Sequence, residues 1–178
     1  MYAPVSDDDV PAVAALMNRA YRGAGGTRGW AVETDYLAGD RTTSEVLRAD
    51  LAAAPAASLL KWVEEGTDGF SGCLWLEPLG DGVWYLGSFA IDPDRQNRGR
   101  GRVMLAAAEN WVRERGGRRV RMSVINLRRA LIAWYLRRGY CETGETEPFP
   151  YGHERFGAPL RDDLCFVALE KELTAATP

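Results

Sequence analysis

Residues 87–102 read Gly87-Ser-Phe-Ala-Ile-Asp-Pro-Asp-Arg-Gln-Asn-Arg-Gly-Arg-Gly-Arg102, and their reading decides the fold. The first part, through Ile91, has the composition of a strand end. Pro93 closes it, and Gln96-x-x-Gly99-x-Gly101 opens a helix. Such a turn suits anion capture. About four N–H groups at a helix start lack intrahelical partners, and the helix carries about half a positive charge there. Glycine lets the backbone approach a phosphate with no side chain in the way. Arg98, Arg100 and Arg102 add guanidinium forks that can bond two oxygens at once. A pyrophosphate fits this pattern. Taken alone, the same residues also describe an ordinary tight strand-to-helix turn. Met104 stands where a dinucleotide fingerprint needs its third glycine, and no Gly-Lys-Ser/Thr follows, so neither that fingerprint nor a P-loop is present.

Working outward, residues 58–64, 69–77 and 83–91 are aromatic and branched runs bounded by Gly, Asp or Pro, and they predict three antiparallel strands. Gly66-Thr67-Asp68-Gly69 and Gly80-Asp81-Gly82 supply the turns. Before them, Ser6 and three aspartates cap a helix running to about Tyr21. Residues 23–41 are glycine-rich and irregular. Thr42-x-x-Glu45 offers a capping box for a helix over 43–54. After the turn, residues 100–115 place Val103, Met104, Ala107, Ala108, Trp111 and Val112 on one helical face, ended by Gly116-Gly117. A strand follows at 118–125, an amphipathic helix at 129–138 closed by Gly139, and strands at 140–144 and 164–172. The remaining loop, 145–163, is long enough to be functional and carries Phe149, Tyr151 and Phe156. This order predicts an α/β (α+β) sandwich with a mixed, mostly antiparallel sheet.

The chain has 178 residues, one domain's worth, with a net charge of −3. That charge is unevenly spread: −7 over residues 1–91, +9 over 92–138 and −5 over 139–178. A globally basic nucleic-acid binder is disfavoured, although the basic middle can hold a polyanion and the acidic flanks can attract a cation. Cys73, Cys141 and Cys165 form no CxxC pair, which argues against a disulfide framework or a structural zinc site and for a reducing compartment. No run of about 18 apolar residues occurs, and the acidic start lacks a signal peptide's basic region, so the chain reads as soluble, untargeted and cytoplasmic.

Three features in order resemble the GNAT superfamily of acetyl-CoA-dependent N-acetyltransferases. They are the strand ending Phe89-Ala90-Ile91-Asp92-Pro93, then Gln96-x-x-Gly99-x-Gly101, then Ala130-x-x-x-x-Tyr135-x-x-x-Gly139-Tyr140. The resemblance covers residues 5–172, leaves Met1–Val5 short for a first strand, and implies one GNAT-like domain over 1–178 with helices on both sheet faces. It implies acetyl-CoA as co-substrate, no metal, and an amine-bearing acceptor, with no nucleic-acid or membrane partner and room for a homodimer. Backbone groups of Phe89, Ala90 and Ile91 would bond the pantetheine arm. N–H groups of Gln96, Asn97, Arg98, Gly99, Arg100 and Gly101, with Arg102, would hold the pyrophosphate. Asn126 or Arg128 would touch the cofactor arm, and Tyr135 would stand by the thioester sulfur as general acid.

Without the resemblance, Tyr135 reads as core, as aromatics on amphipathic helices usually are. Its chemistry as an acid is plausible, since a phenol near pKa 10 can hydrogen-bond a departing thiolate. Residues 83–91 hold no acid, and the place where many family members carry a carboxylate falls near Tyr85. Glu33, Glu77, His153 and Asp163 are the remaining candidates for a base, beside relay through water. Trp30, Tyr36 and the aromatics of 149–156 either frame an acceptor pocket or pack a loop. Cys73, among apolar neighbours, is a poor nucleophile. The rival reading is an acyl-CoA-binding regulator without turnover; a nucleic-acid module using the 95–138 arginines is the third.

Overall fold

The structure, a computed structural model, describes residues 1–23, 32–64, 66, 69–96, 99–153 and 157–173. Strands β1 (Tyr2–Pro4), β2 (Leu37–Ala38), β3 (Ser58–Trp62), β4 (Gly72–Gly80), β5 (Val83–Ile91), β6 (Arg119–Ile125), β7 (Cys141–Pro148), β8 (Ala158–Pro159) and β9 (Cys165–Glu172) alternate with four helices. These are α1 (Val10–Arg22), α2 (Ser44–Ala53), α3 (Arg100–Arg113) and α4 (Arg129–Leu136). Seven strands form one sheet in the order β1-β3-β4-β5-β6-β9-β7, and β2 pairs with β8 in a small second sheet. Every neighbouring pair is antiparallel except β5 and β6.

Side chains of successive strand residues point to opposite faces, and this alternation sorts the helices. Leu60, Leu74, Phe89 and Ile91 pack with Met104, Leu105, Ala108 and Val112 of α3 and with Leu131, Ile132 and Tyr135 of α4. Leu59, Cys73 and Ala90 pack with Val13, Leu16 and Met17 of α1 and Leu47 of α2. Helices therefore cover both faces, as expected. A third, smaller cluster joins Leu37, Ile125, Phe149 and Leu164.

The feature that shapes the site is a split in the sheet. β5 pairs with β6 only over Val83–Tyr85 against Arg119–Arg121. Beyond Tyr85, β5 bulges: Cys73 faces Ala90 and Trp75 faces Gly87, so Ser88 and Phe89 together oppose Leu74. Ser88 adopts a left-handed φ of 50°. A bulge bends its strand and adds twist. The two strands part there and leave a wedge between them.

Local differences from the sequence reading have physical causes. Thr43, not Thr42, caps α2, accepting from the Val46 amide at 3.3 Å. Residues 145–148 continue β7, which re-registers on β9 after an irregularity between Glu142 and Thr146. β7 is exposed along its whole length, so no apolar alternation marks it. Within the expected hairpin turn at 66–69, Thr67 and Asp68 lie outside the described residues. The first strand is short, three residues, and pairs with β3. No described helix is long and apolar enough to cross a membrane.

Candidate functional site

The start of α3 lies at the end of the bulged strand. Gly99 occupies its N-cap with φ 75°, a left-handed conformation that favours glycine, and no side chain caps the helix. A Cβ at Gly99 would meet nothing within 4 Å, so the space in front of the turn is open. Gly101 is glycine for a different reason. A Cβ there would come within 3.3 Å of Ile91 Cδ1 and of Trp134 Cζ2, so the missing side chain lets α3 and α4 approach. Gln96 ties the turn back to β5, its side-chain amide donating to the Ile91 carbonyl at 3.1 Å.

The arginines of the turn divide by role. Arg100 is anchored away from the turn, with Nε and Nη2 on Glu64 at 2.6 and 3.0 Å and Nη1 on the Arg95 carbonyl. This pairing holds the Glu64 carboxyl below the usual carboxylate range. Arg102 is exposed, and while its amide donates to the Gly99 carbonyl at 3.0 Å, its side chain makes no hydrogen bond or ion pair to a described residue. Asn97 and Arg98 lie outside the described residues. An uncapped helix start, an open glycine and an exposed arginine fit a diphosphate.

The wedge between β5 and β6 opens into a cavity of about 550 Å³. Gly87, Ser88 and Phe89 form one wall, Met122 to Ile125 the other, and Tyr135 closes the α4 side. Ala90 and Ile91 are buried and lie outside the cavity lining, and the Ile91 carbonyl already accepts from the Gln96 side chain. The Phe89 carbonyl already accepts from the Tyr21 hydroxyl at 3.1 Å, which leaves one of its two lone pairs.

Tyr135 is 4% exposed, and its hydroxyl makes no hydrogen bond to a described residue. Burial pushes the phenol well above its ordinary pKa, so the proton stays on. Tyr140, four residues past the end of α4, explains the third motif: its ring stands edge-on to Tyr135 at 5.5 Å, and its hydroxyl donates to Glu109. Cys73 is fully buried and its thiol is pushed up to about 12, which removes it as a nucleophile.

The other sequence candidates separate cleanly. Asn126 is occupied at both ends, its Nδ2 donating to the Asp163 carbonyl and its Oδ1 accepting from the Cys165 amide, and it lies outside the cavity lining. Arg128 lines the cavity. Of the candidate bases, only Glu33 lines it, and that carboxylate is held between Arg22 at 3.0 Å and Arg128 at 2.9 Å. Glu77 accepts from Trp75 Nε1, Asp163 is paired with Arg161, and His153 is exposed and does not line the cavity. Phe149 lines the cavity, whereas Tyr36 packs behind it and Tyr151 accepts from the Leu164 amide. Trp30 and Phe156 lie outside the described residues. Glu147 lines the cavity from β7 and was not a sequence candidate; only the strand extension to Pro148 brings it there.

A family model described as the acetyltransferase (GNAT) family matches residues 15–140. The chain belongs to that family. As a GNAT acetyltransferase it is an acyltransferase, and acetyl-CoA is the family's acetyl donor. The enzyme's fold is similar to the ribosomal-protein-S18-alanine N-acetyltransferase from Escherichia coli, at 16% identity and a TM-score of 0.68, covering 99% of this chain and 96% of that one. It is also similar to the ribosomal-protein-alanine N-acetyltransferase from Brucella melitensis, at 19% identity and a TM-score of 0.65, covering 97% and 99%. An IAA acetyltransferase from Bacillus cereus matches at 13% identity and a TM-score of 0.63, covering 97% and 99%. At such identities the likeness is one of fold. No curated protein matches the chain in sequence.

Proposed function

We propose that the enzyme transfers the acetyl group of acetyl-CoA to a primary amine by direct attack, with Tyr135 as the acid. One observation carries this reading: Trp134 packs on Gly101 in the first turn of α3, and the next residue, Tyr135, lines the cavity with its hydroxyl kept protonated by burial. A ligand anchored by its diphosphate at α3 and running along β5 ends beside that hydroxyl.

The amides at Gly99, Arg100 and Gly101 and the Arg102 guanidinium hold the diphosphate, with Asn97 and Arg98 from the same turn; the Gln96 amide, already donated to the Pro93 carbonyl at 3.3 Å, is not one of its donors. Backbone groups of Phe89, Ala90 and Ile91 hold the pantetheine arm, and Arg128 rather than Asn126 faces the far end of it. Acetyl-CoA supplies an acetyl thioester. A neutral amine nitrogen forms a bond to the acetyl carbon while the carbon–sulfur bond breaks. Tyr135 hydrogen-bonds the sulfur and delivers the proton that makes the free thiol. The nitrogen's proton leaves through water, from which Tyr135 recovers its own.

Burial raises the Tyr135 pKa, so its principal contribution is a hydrogen bond that strengthens as charge gathers on sulfur. At pH 7, an ordinary alkylammonium near pKa 10.4 must first lose its proton at a cost of roughly 4–5 kcal/mol. The buried Cys73 favours direct attack over an acyl-enzyme. The three cysteines are free, in keeping with a cytoplasmic location.

Thiol release from acetyl-CoA across a panel of primary amines tests the proposal. Amine-dependent release with acetyl appearing on nitrogen is expected. Acetyl-CoA binding with no release to any amine overturns it and returns the rival reading of a non-catalytic acyl-CoA binder.

A further inference from the structure

The acceptor side of the cavity is charged differently from the chain segments that build it. Residues 1–91 and 139–178 are acidic, yet the described charged residues lining the cavity are Arg41, Arg121 and Arg128 against Glu33 and Glu147. Their arrangement matters more than their number. Glu33 sits between Arg22 and Arg128, with side-chain exposures of 10% for Arg22, 8% for Glu33 and 7% for Arg128. Two guanidiniums hold one carboxylate, so this buried carboxylate offers little attraction to an arriving cation. Arg41 faces the same wall, with its guanidinium carbon 5.3 Å from the centre of the Tyr21 ring. On the opposite wall Arg121 is bonded to Glu170 and Glu145. Glu147 stands at the exposed rim.

This wall repels a polyamine and suits an oxyanion. A guanidinium presents five N–H donors in a planar fork, so Arg128 can serve Glu33 and a second oxyanion together. The placement of Arg128 then constrains the ligand. Arg128 caps the start of α4, Tyr135 lies two turns further along the same helix, and both line the one cavity. An anion bound at Arg128 therefore shares that cavity with the attacking nitrogen. On the amine-acetylation reading the end of the pantetheine arm takes part of the 550 Å³ cavity, which leaves room for a small acceptor.

We propose that the acceptor is a small amine bearing an oxyacid group within a few bonds of its nitrogen, an α-amino acid being the simplest, with that group held by Arg41 and Arg128. This inference rests on the amine-acetylation reading and adds the acceptor's class to it.

The test pairs each amino acid with its carboxamide and its decarboxylated amine, with a diamine as the cationic comparison, at saturating acetyl-CoA. For the preferred acceptor, kcat/KM should exceed that of its carboxamide by roughly tenfold or more, the scale of a lost charge-assisted hydrogen bond. Arg41→Gln should bring that ratio toward one, chiefly through KM, and Arg41→Lys should restore part of it. Equal or better use of carboxamides or the diamine overturns the inference, and that comparison needs no variant. Calorimetry on the CoA-loaded enzyme, with the N-acetylated amino acid against its amide, separates the two claims. Selective binding of the anionic product without turnover sinks the transfer reading and keeps the anion site. Turnover without acceptor preference sinks the anion site and keeps the transfer reading.

Discussion

The Tyr85 ring lies across the backbone of Gly87. A Cβ at Gly87 would stand 2.7 Å from Tyr85 Cε1 and 3.3 Å from Cζ. Residues two apart share a strand face, so the aromatic folds down along β5 only because its neighbour has no side chain. The contact falls where β5 leaves β6, and both residues line the cavity. Burial raises the Tyr85 phenol above its ordinary pKa.

Gly87→Ala should therefore displace a wall of the cavity. Overpacking of this kind costs about 1–3 kcal/mol. The expected result is a lower melting temperature together with a raised acceptor KM, read by thermal denaturation and steady-state kinetics. An unchanged KM would mean that the Tyr85 ring does not border the acceptor.

Glu33→Gln should be costly to the fold. It leaves Arg22 and Arg128 facing each other in a nearly buried site without their shared carboxylate. Removing one partner of a buried ion pair costs about 3–5 kcal/mol. Urea denaturation of the variant should show a loss on that scale; a loss under about 1 kcal/mol would mean the triad is solvated.

Tyr135→Phe should lower kcat by roughly a hundredfold, within the usual range for a lost acid, while leaving acetyl-CoA affinity nearly intact. Stability should hardly change, because the hydroxyl bonds no described residue. The pH profile adds a sign. The rate rises with pH as the amine deprotonates, and the phenol's raised pKa delays any fall beyond the ordinary tyrosine range near 10. A decline setting in below pH 10 would contradict Tyr135 as the acid.

Gly99→Glu should abolish acetyl-CoA binding. The position has φ 75°, which any other residue adopts only with strain, and the new carboxylate would face the diphosphate. Calorimetry should find no heat of binding, while far-ultraviolet circular dichroism stays that of the folded enzyme. Retained affinity would remove the diphosphate from this turn.

Much of this was legible in the sequence because the signals were local. The bounds of β5 and the start of α3 follow from Pro93, Gly99 and Gly101, and α4 ends where Gly139 allows φ 85°. The wedge was not legible. It depends on Ser88 taking a left-handed φ and on how far β6 follows β5, and neither leaves a mark in composition. Glu147 leaves no mark in the sequence, because β7 is exposed throughout and shows no apolar period. Arg100 and Arg102 read alike in the turn, yet Glu64, 36 residues earlier, claims only Arg100. Segment charge says little about the cavity wall: the acidic flanks supply Arg41 to it, and the acid they place there, Glu33, is already paired.

The most direct measurement is a crystal structure of the enzyme with acetyl-CoA. The diphosphate oxygens should accept hydrogen bonds from the amides that open α3, and the thioester sulfur should lie within hydrogen-bonding reach of the Tyr135 hydroxyl. A diphosphate bound elsewhere, or a sulfur remote from Tyr135, would contradict the account.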